Sequence, residues 1–591
     1  MSFARSFLLS LVCISAGCSG GERPLSVLLV SIDTTRADRL GCYGRPQAGT
    51  PHLDALAARG LRCERAYAPV PLTLPSHTSL LTGAGPRTHG VRDNGRFRVD
   101  AELTTLAELA RARGRRTAAF VAAYPLSAHF GLDQGFELYD DALRGGEGAM
   151  AQRDGAEVVE RASAWLDALD ADEPFLLWAH LFDPHWPYDP PEPFRSAHPG
   201  DPYQGEIAYA DAQLGRLLAA LDAAGRSRET LVVVCSDHGE GLGEHGEDTH
   251  GFLVHDATMR VPLLFAGPGV PEGAVLNELA ALEDVLPTVV ELADWSLPPQ
   301  VRGRSLGPAW RGESTEERSV YLESRYPRIH YGYSELEGLV RGAHKLVCAP
   351  ASDEAPQLYD VLADPGEERD LALASDALGA ELERGLDAVR ARLDEAPRWS
   401  AAAELDAEGQ RALAQLGYAG ESAGAPSEGV LLHPRHGVRV QDLLQQVTGL
   451  LNVGRSEEAA PLVGELEALE PGGVAALYAR GHLLTKQAVL RPSLAPEAVE
   501  LLRSALVLAP ERAPLWRVLA QACERAGDWA GAASAWSVCC GLAPEREDFE
   551  RQRRRVHEQA RSRLQALESA GRADADEALA LRAALPEEST P

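Results

Sequence analysis

The 591-residue chain carries 57 basic and 87 acidic side chains, a formal charge of −30. That balance excludes a nucleic-acid-binding protein, because a phosphate backbone demands clustered Lys and Arg. Apolar residues at 45% and charged residues at 24% exclude wholesale disorder, and the length predicts several domains.

Arg5 precedes an apolar run from Phe7 to Ala16, which ends in Ala16-Gly17-Cys18. About 20 residues are needed to span a bilayer, so this shorter run reads as a secretory signal. Ala16-Gly17-Cys18 resembles a bacterial lipobox, in which the Cys is lipidated; ordinary cleavage near Gly17 is the alternative. The expectation is an exported, periplasmic or outer-membrane-anchored protein, with residues 1–18 as signal and membrane contact through a lipid on Cys18. The later cysteines, Cys42, Cys63, Cys235, Cys348, Cys523, Cys539 and Cys540, leave room for a disulfide that spacing cannot assign.

From Leu25 the run LSVLLVSID has the composition of a strand buried in a parallel sheet. TPHLDALAARGLRCERAYA reads as helix, Gly turn and strand, and the alternation recurs at ELTTLAELARARGRRTAAFVA and QLGRLLAALDAAGRSRETLVVVCSDHGEG. Repeated strand–helix–strand order predicts a large α/β domain over residues 24–419, with catalytic side chains at strand C-terminal ends. A Gly/Ser/Pro-rich linker is expected over 420–437.

Beyond the linker, Pro471, Pro510 and Pro544 each end a Leu-x-Pro triplet, at spacings of 39 and 34 residues. Counting back from them places Gly454, Ala459, Gly481, Ala498, Leu502, Ala505, Trp516, Gly527, Ala532 and Trp536 at recurring packing positions. The pattern resembles tetratricopeptide repeats and predicts an all-α repeat domain with a capping helix over 438–560, followed by a loose tail, 561–591. Such a domain suits a protein partner in its groove, self-association, or packing on the first domain. Residues 1–436 hold 39 basic and 65 acidic side chains, and residues 437–591 hold 18 and 22, so the balances are −26 and −4.

Chemistry concentrates in three segments. In VVVCSDHGEGLGEHGEDTHG the pair Asp237-His238 follows a buried strand, where folding alone would not place a carboxylate; a divalent cation explains it. Asp33 ends the first strand at the same edge. In PLTLPSHTSLLTG, Thr73 and Ser76 sit at the start of a helix, whose free N–H groups suit an anionic ester. A hydroxyl there is a candidate nucleophile, or else a helix cap.

Together with DTTRADRLGCYG, TPHLDALAARG, MRVPLLFAGPG and QLYDVLADPGEERDLA, these segments resemble the sulfatase family of the alkaline phosphatase superfamily. The resemblance implies an α/β fold with a central sheet flanked by helices. It implies metal ligands at Asp33, Asp237 and His238, joined by Thr73 as nucleophile. It places Arg36 beside the metal and His185, in DPHWPY, facing the ester. The departures are specific. Thr73 stands where the family carries the Cys or Ser oxidised to formylglycine, and threonine cannot yield that aldehyde. His77 replaces the motif's Arg, Thr34 the second metal-binding Asp, and His250 a Lys. Val121-Ala122-Ala123-Tyr124 stands at the Gly-Lys-Trp-His signature.

A Thr nucleophile with Asp-His-Gly and a downstream His-Gly also resembles the phosphoethanolamine and phosphoglycerol transferases of the superfamily. The expected activity is therefore hydrolysis or transfer of a sulfate or phosphate ester on one divalent ion, Zn, Mn or Ca. Thr73, Arg36, His185 and His250 are the expected catalytic residues. Phosphodiester transfer and a non-catalytic scaffold with partner-binding repeats are the alternatives. His245 and His255 read as loop residues.

Overall fold

The computed structural model describes residues 24–143, 152–313, 317–372, 376–394, 399, 401–403, 429–510, 512–542 and 546–586. The N-terminal signal with Cys18, and residues 420–428 of the expected linker, fall outside the described residues. The seven cysteines named above from Cys42 to Cys540 are free thiols, so the possible disulfide is absent among the described residues. None of the described helices is long and apolar enough to cross a membrane.

The main sheet is built on β1 (Ser26–Ile32), β2 (Leu61–Tyr67), β3 (Arg116–Phe120), β4 (Leu138–Asp140), β5 (Phe175–Leu181), β6 (Thr230–Cys235), β7 (Leu263–Ala266) and β8 (Ala274–Ala281). Their order is β8-β2-β7-β6-β1-β5-β3-β4, with the two-residue strand Arg260–Val261 added on β2. Every residue of β1, β5 and β6 is buried, which is why these three read as unbroken apolar runs. β1 pairs in parallel with both β5 and β6, with Ile32 opposite Leu181 and Ser31 opposite Cys235. That register brings Asp33, His180 and Asp237 to one sheet edge. The sheet is mixed: β7 runs antiparallel to β2 and β6. A turn after the Asp237 loop carries the chain straight back along β6, with no crossover helix to restore direction.

Helices α1 (Pro51–Ala58), α2 (Thr73–Thr82), α3 (Gly155–Asp167) and α4 (Pro202–Ala223) flank the sheet. A second, antiparallel sheet follows, β9 (Ser319–Ser324), β10 (Leu336–Arg341), β11 (His344–Cys348) and β12 (Gln357–Asp360), covered by α5 (Asp376–Asp394).

One of the chain's two lysines ties the sheets together. Lys345 on β11 is fully buried, 2.7 Å from Asp256 Oδ1 and 2.6 Å from Glu367 Oε1, and the Tyr67 hydroxyl of β2 donates to Asp256 Oδ2 at 3.2 Å. Deleting one partner of a buried ion network leaves uncompensated charge, so Lys345→Met is expected to lower stability by about 3–5 kcal/mol in urea titration. Burial works to raise the Glu367 carboxyl, but Lys345 and His255 outweigh it and hold it down at about 2. A folded value below the unfolded one contributes stability above about pH 4.5 that is lost as pH falls toward 2. Lys345→Met should flatten that acid dependence, and an unchanged slope would argue against the pairing.

The remainder is helical: α6 (Pro434–Asn452), α7 (Ser456–Leu469), α8 (Val474–Gln487), α9 (Ala495–Leu508), α10 (Ala513–Ala526), α11 (Trp529–Leu542), α12 (Glu547–Ser569) and α13 (Asp576–Ala584). Short loops make neighbours antiparallel, and the first helices of successive hairpins, α6, α8 and α10, also touch one another. Ala459, Ala498, Leu502, Ala505 and Ala532 are fully buried. A Cβ on Gly481 would lie 2.7 Å from Leu502 Cγ, so two helices meet there at backbone distance. Trp516, expected in the packing, is only partly covered, its indole N–H donating to the Pro510 carbonyl at 2.6 Å.

Two boundaries differ from expectation. α6 begins at Pro434, inside the expected linker, because Pro suits a first turn and the His433 ring accepts from the Arg435 N–H at 3.1 Å. The expected tail is helical to Ala584, because Leu567, Ala578 and Leu581 supply an apolar face that packs on the array.

The array packs against the first domain. Ser334 N–H donates to the Leu432 carbonyl at 2.9 Å, Val438 joins the main core, and a Cβ on Gly437 would lie 2.5 Å from the Tyr333 ring. Its inner helices thus face the loops at the C-terminal edge of the main sheet.

Candidate active site

Asp33 leaves the end of β1 fully buried. Thr34 follows in the left-handed region at φ 49°, a strained backbone for a β-branched residue. The strain aims its N–H at Asp237 Oδ1, 3.2 Å away. The His238 N–H donates to the same oxygen at 2.9 Å. With Oδ1 doubly engaged, Asp237 presents Oδ2 inward. The His238 ring donates from Nδ1 to the Gly239 carbonyl at 3.0 Å, which turns Nε2 toward the two carboxylates; burial works to lower the ring's pKa, but Asp237 and Asp33 outweigh it and raise it. Asp33 Oδ1, Asp237 Oδ2 and His238 Nε2 are all buried without a hydrogen-bond partner, and they lie within 4.8 Å of one another.

Unpaired buried polar atoms are costly. Burial pushes the Asp33 carboxyl up to about 7, and burial together with Asp33 raises Asp237. Two carboxylates and an imidazole nitrogen converging in this way fit one divalent cation, which would remove the penalty on all three.

His180, at the end of β5, supports this cluster. Its Nδ1 accepts from the Ala122 N–H at 3.3 Å, so Nε2 carries the proton and donates to Asp33 Oδ2 at 3.2 Å. His77 lies one turn into α2. Its Nδ1 donates to the Thr73 carbonyl at 2.8 Å, its Nε2 accepts from the Ser31 hydroxyl at 2.9 Å, and Asp237 Oδ2 is 3.6 Å from Nδ1. Burial holds both histidines down at about 4, so each is a neutral brace.

Thr73 is the first residue of α2 and fully buried, and the capping position is Leu72. Neither hydroxyl is at the capping position, and Ser76 donates to the Val70 carbonyl at 2.6 Å. The helix mouth is also not the open N–H cradle that the sequence suggested. Leu74 N–H is taken by Asn94 Oδ1 at 2.8 Å, Ser76 N–H by the Leu72 carbonyl at 3.2 Å, and Pro75 has none.

Arg36 is buried at the same edge, but its guanidinium is committed. It bonds Asp38 at 2.8 and 2.9 Å, Glu244 at 2.7 Å and the Glu240 carbonyl at 3.1 Å, bracing the β6 loop. His250 donates from Nδ1 to the fully buried Glu240 at 3.0 Å, and its ring lies 4.4 Å from that of His238. His185 donates from Nδ1 to the Trp186 carbonyl at 2.6 Å, stacks on Phe182 at 4.3 Å and meets His250 edge-on at 5.2 Å. His238, His250 and His185 thus form a row leading away from the cluster. His245 and His255 stack on each other at 3.7 Å and bind the Glu367 segment, outside this row.

Residues 26–295 match the family described as Sulfatase, and residues 243–392 match N-sulphoglucosamine sulphohydrolase, C-terminal. This part of the chain belongs to the sulfatase family. Human arylsulfatase A is 29% identical, covering 63% of this chain and 87% of its own. A Δ4,5-hexuronate-2-O-sulfatase from Bacteroides thetaiotaomicron is 25% identical, covering 62% and 88%. Among solved structures, a 2-O GAG sulfatase has a TM-score of 0.53 at 24% identity, over 63% of this chain and 93% of that one. The phosphonate monoester hydrolase of Agrobacterium radiobacter has 0.54 at 22% identity, over 63% and 96%. At these identities the structures show the shared fold.

Residues 26–392 thus match sulfatases, and these homologues indicate a sulfuric ester hydrolase. The expected metal ligands Asp33, Asp237 and His238 come together, with the Thr34 backbone N–H bonded to Asp237. Sequence reading overlooked His180 and Glu240 and saw His77 only as a departure. A histidine closing a buried strand, as in FLLWAHL, is the signal that marks His180, the same one that marked Asp33 and Asp237. Loss of such a supporting hydrogen bond typically costs 10–100-fold in metal affinity. His180→Ala is therefore expected to weaken Mn or Zn binding about 10–100-fold by calorimetric titration of the chelated protein. His180→Gln, which can still donate to Asp33, should recover part of the loss.

Proposed function

We propose that this sulfatase-family chain cleaves a sulfate or phosphate ester with the Thr73 hydroxyl as nucleophile. One divalent ion (Zn, Mn or Ca) would be held by Asp33, Asp237 and His238, with Thr73 beside them. The three converging, unpartnered buried donor atoms carry this reading, together with His77, which links the Thr73 carbonyl to the surroundings of Asp237. When bound, the ion lowers the pKa of a nearby hydroxyl and offsets charge on the transferring group.

The remaining tasks fall to the chain. The Thr73 oxygen bonds to sulfur or phosphorus as the ester oxygen leaves with its electron pair, and that oxygen needs a proton. His250, its Nδ1–H held by Glu240 and kept neutral by burial, would take the proton given up by the Thr73 hydroxyl on Nε2 and pass it to that oxygen; His185 flanks the departing group. Water then releases the group from Thr73.

The test is a panel of 4-nitrophenyl sulfate, 4-nitrophenyl phosphate and bis(4-nitrophenyl) phosphate, assayed with Zn, Mn or Ca alongside metal analysis. Cation-dependent turnover of at least one ester is expected, and a preference for the diester would favour the phosphotransferase-like reading. No bound ion and no turnover would leave the scaffold. The array from Pro434 to Ala584 is read here as tetratricopeptide-like, on the strength of its hairpins and small packing residues.

A further inference from the structure

Between the sulfatase region and the array lies a cavity of about 920 Å³. One wall includes His185 and His250, so the cavity begins one side chain away from His238. Trp186, half exposed at 50%, stands at this wall. The facing wall comes from the inner helices, with Gln441 on α6, Tyr478 on α8 and Arg517 on α10. The row His238, His250 and His185 gives an ester held at the cluster a direction for its leaving group, toward this space. The volume suits an organic group with aromatic and apolar surroundings.

The space does not end there. Pro514 and Arg517 also line an adjoining recess of about 690 Å³, whose walls include Lys486, Arg525, Arg546 and Arg555. Two of these cations are neutralised in place, Arg546 by Asp548 at 2.8 Å and Arg555 by Glu524 at 2.5 Å. Lys486, Arg517 and Arg525 have no carboxylate partner among the described residues. Burial and the two arginines push the Lys486 ammonium below its ordinary value. Tyr478, His482 and Lys486 are spaced by four on α8, as are Arg517, Gln521 and Arg525 on α10, so each set shares one helix face. His482, fully buried between the tyrosine and the lysine, has no partner at either ring nitrogen. In a chain of net charge −30, three clustered cations beyond those that Glu524 and Asp548 pair form a local site for an anion.

We propose that the helical array is the leaving-group half of the active site. Its groove, from His185 and His250 past Arg517 to Lys486 and Arg525, binds an ester whose leaving group carries further anionic groups. This rests on the ester-cleaving reading above and adds to it the class of substrate. It also gives the array a function within the chain: its inner face is turned to the catalytic edge, where a protein partner would compete with substrate.

The sulfate esters of 1-naphthol and of 1-naphthol-3,6-disulfonate (or the matching phosphate esters) separate the alternatives, because the sulfonates are not cleaved. The readout is the ratio of kcat/KM for the disulfonated ester to that for the parent, which cancels intrinsic reactivity between variants. Arg517→Gln and Lys486→Gln are each expected to lower it about tenfold, the scale of one charge-assisted hydrogen bond, and the double variant further. Melting temperatures confirm folding. An unchanged ratio in the folded double variant overturns the proposal and opens the groove to another occupant, such as an acidic peptide. If wild type cleaves neither ester, the ester-cleaving reading is what fails. Calorimetric titration with 1-naphthol-3,6-disulfonate then decides the groove: saturable binding lost in the double variant upholds it, and no binding overturns it.

Discussion

Thr73→Ala is expected to lower turnover by at least about 10³-fold while the protein still folds, since removing a nucleophile takes away a covalent step that no neighbour replaces. The neighbouring hydroxyl is not a ready substitute, because Ser76 is committed to the Val70 carbonyl. Folding should survive because Thr73 is not the helix cap. Its carbonyl, which holds His77, is untouched by the substitution. Loss of a buried hydroxyl and methyl at one site costs about 1–2 kcal/mol. Initial rates on the ester panel, with circular dichroism on the same samples, make the comparison. Thr73→Ser, which keeps the hydroxyl, should retain measurable turnover. Full activity in Thr73→Ala would move the nucleophile elsewhere and remove the central element of the mechanism.

The second large effect reverses sign with conditions. Asp237→Asn keeps Oδ1 as acceptor for the Thr34 and His238 N–H groups but removes the charge that faces Asp33. With chelator present, wild type holds two fully buried, mutually repelling carboxyl groups whose pKa burial raises, so the variant should be the more stable by about 1–3 kcal/mol. With cation at about a hundredfold above Kd, wild type gains about 2.7 kcal/mol from binding. The variant, having lost a ligand, gains little and shows no turnover. Thermal melts with EDTA and with Mn or Zn, plus metal analysis, test both halves. A variant less stable than wild type in EDTA would mean that the cluster is satisfied without an ion.

The same residues show why the site was only partly legible. Asp33 and Asp237 stand out because an acidic residue ending an apolar run is hard to reconcile with burial unless something binds it. His180 ends a similar run but is an ordinary strand residue until β5 is known to lie beside β1. Arg36 shows the converse: the resemblance implied a cation beside the metal, and the structure adds that Asp38 and Glu244 bind its guanidinium. The helix mouth at Thr73 was misjudged for a similar reason, since Asn94, 20 residues on, takes the Leu74 N–H.

By itself the sequence determined what periodicity and residue chemistry encode locally: the buried strands, the acidic strand ends, the Thr in place of Cys or Ser, and the small residues that recur through the helical hairpins. The tertiary structure alone decided which side chains share a site and where each proton points. It turned β7 antiparallel, set His180 and His77 behind the carboxylates, and laid the array across the catalytic edge so that Arg517 faces His185 and His250 across one cavity. The physical reason is range: helix and strand patterns arise from contacts a few residues apart, whereas the partners of Asp33 and of Lys345 lie tens to hundreds of positions away, and only packing brings them together.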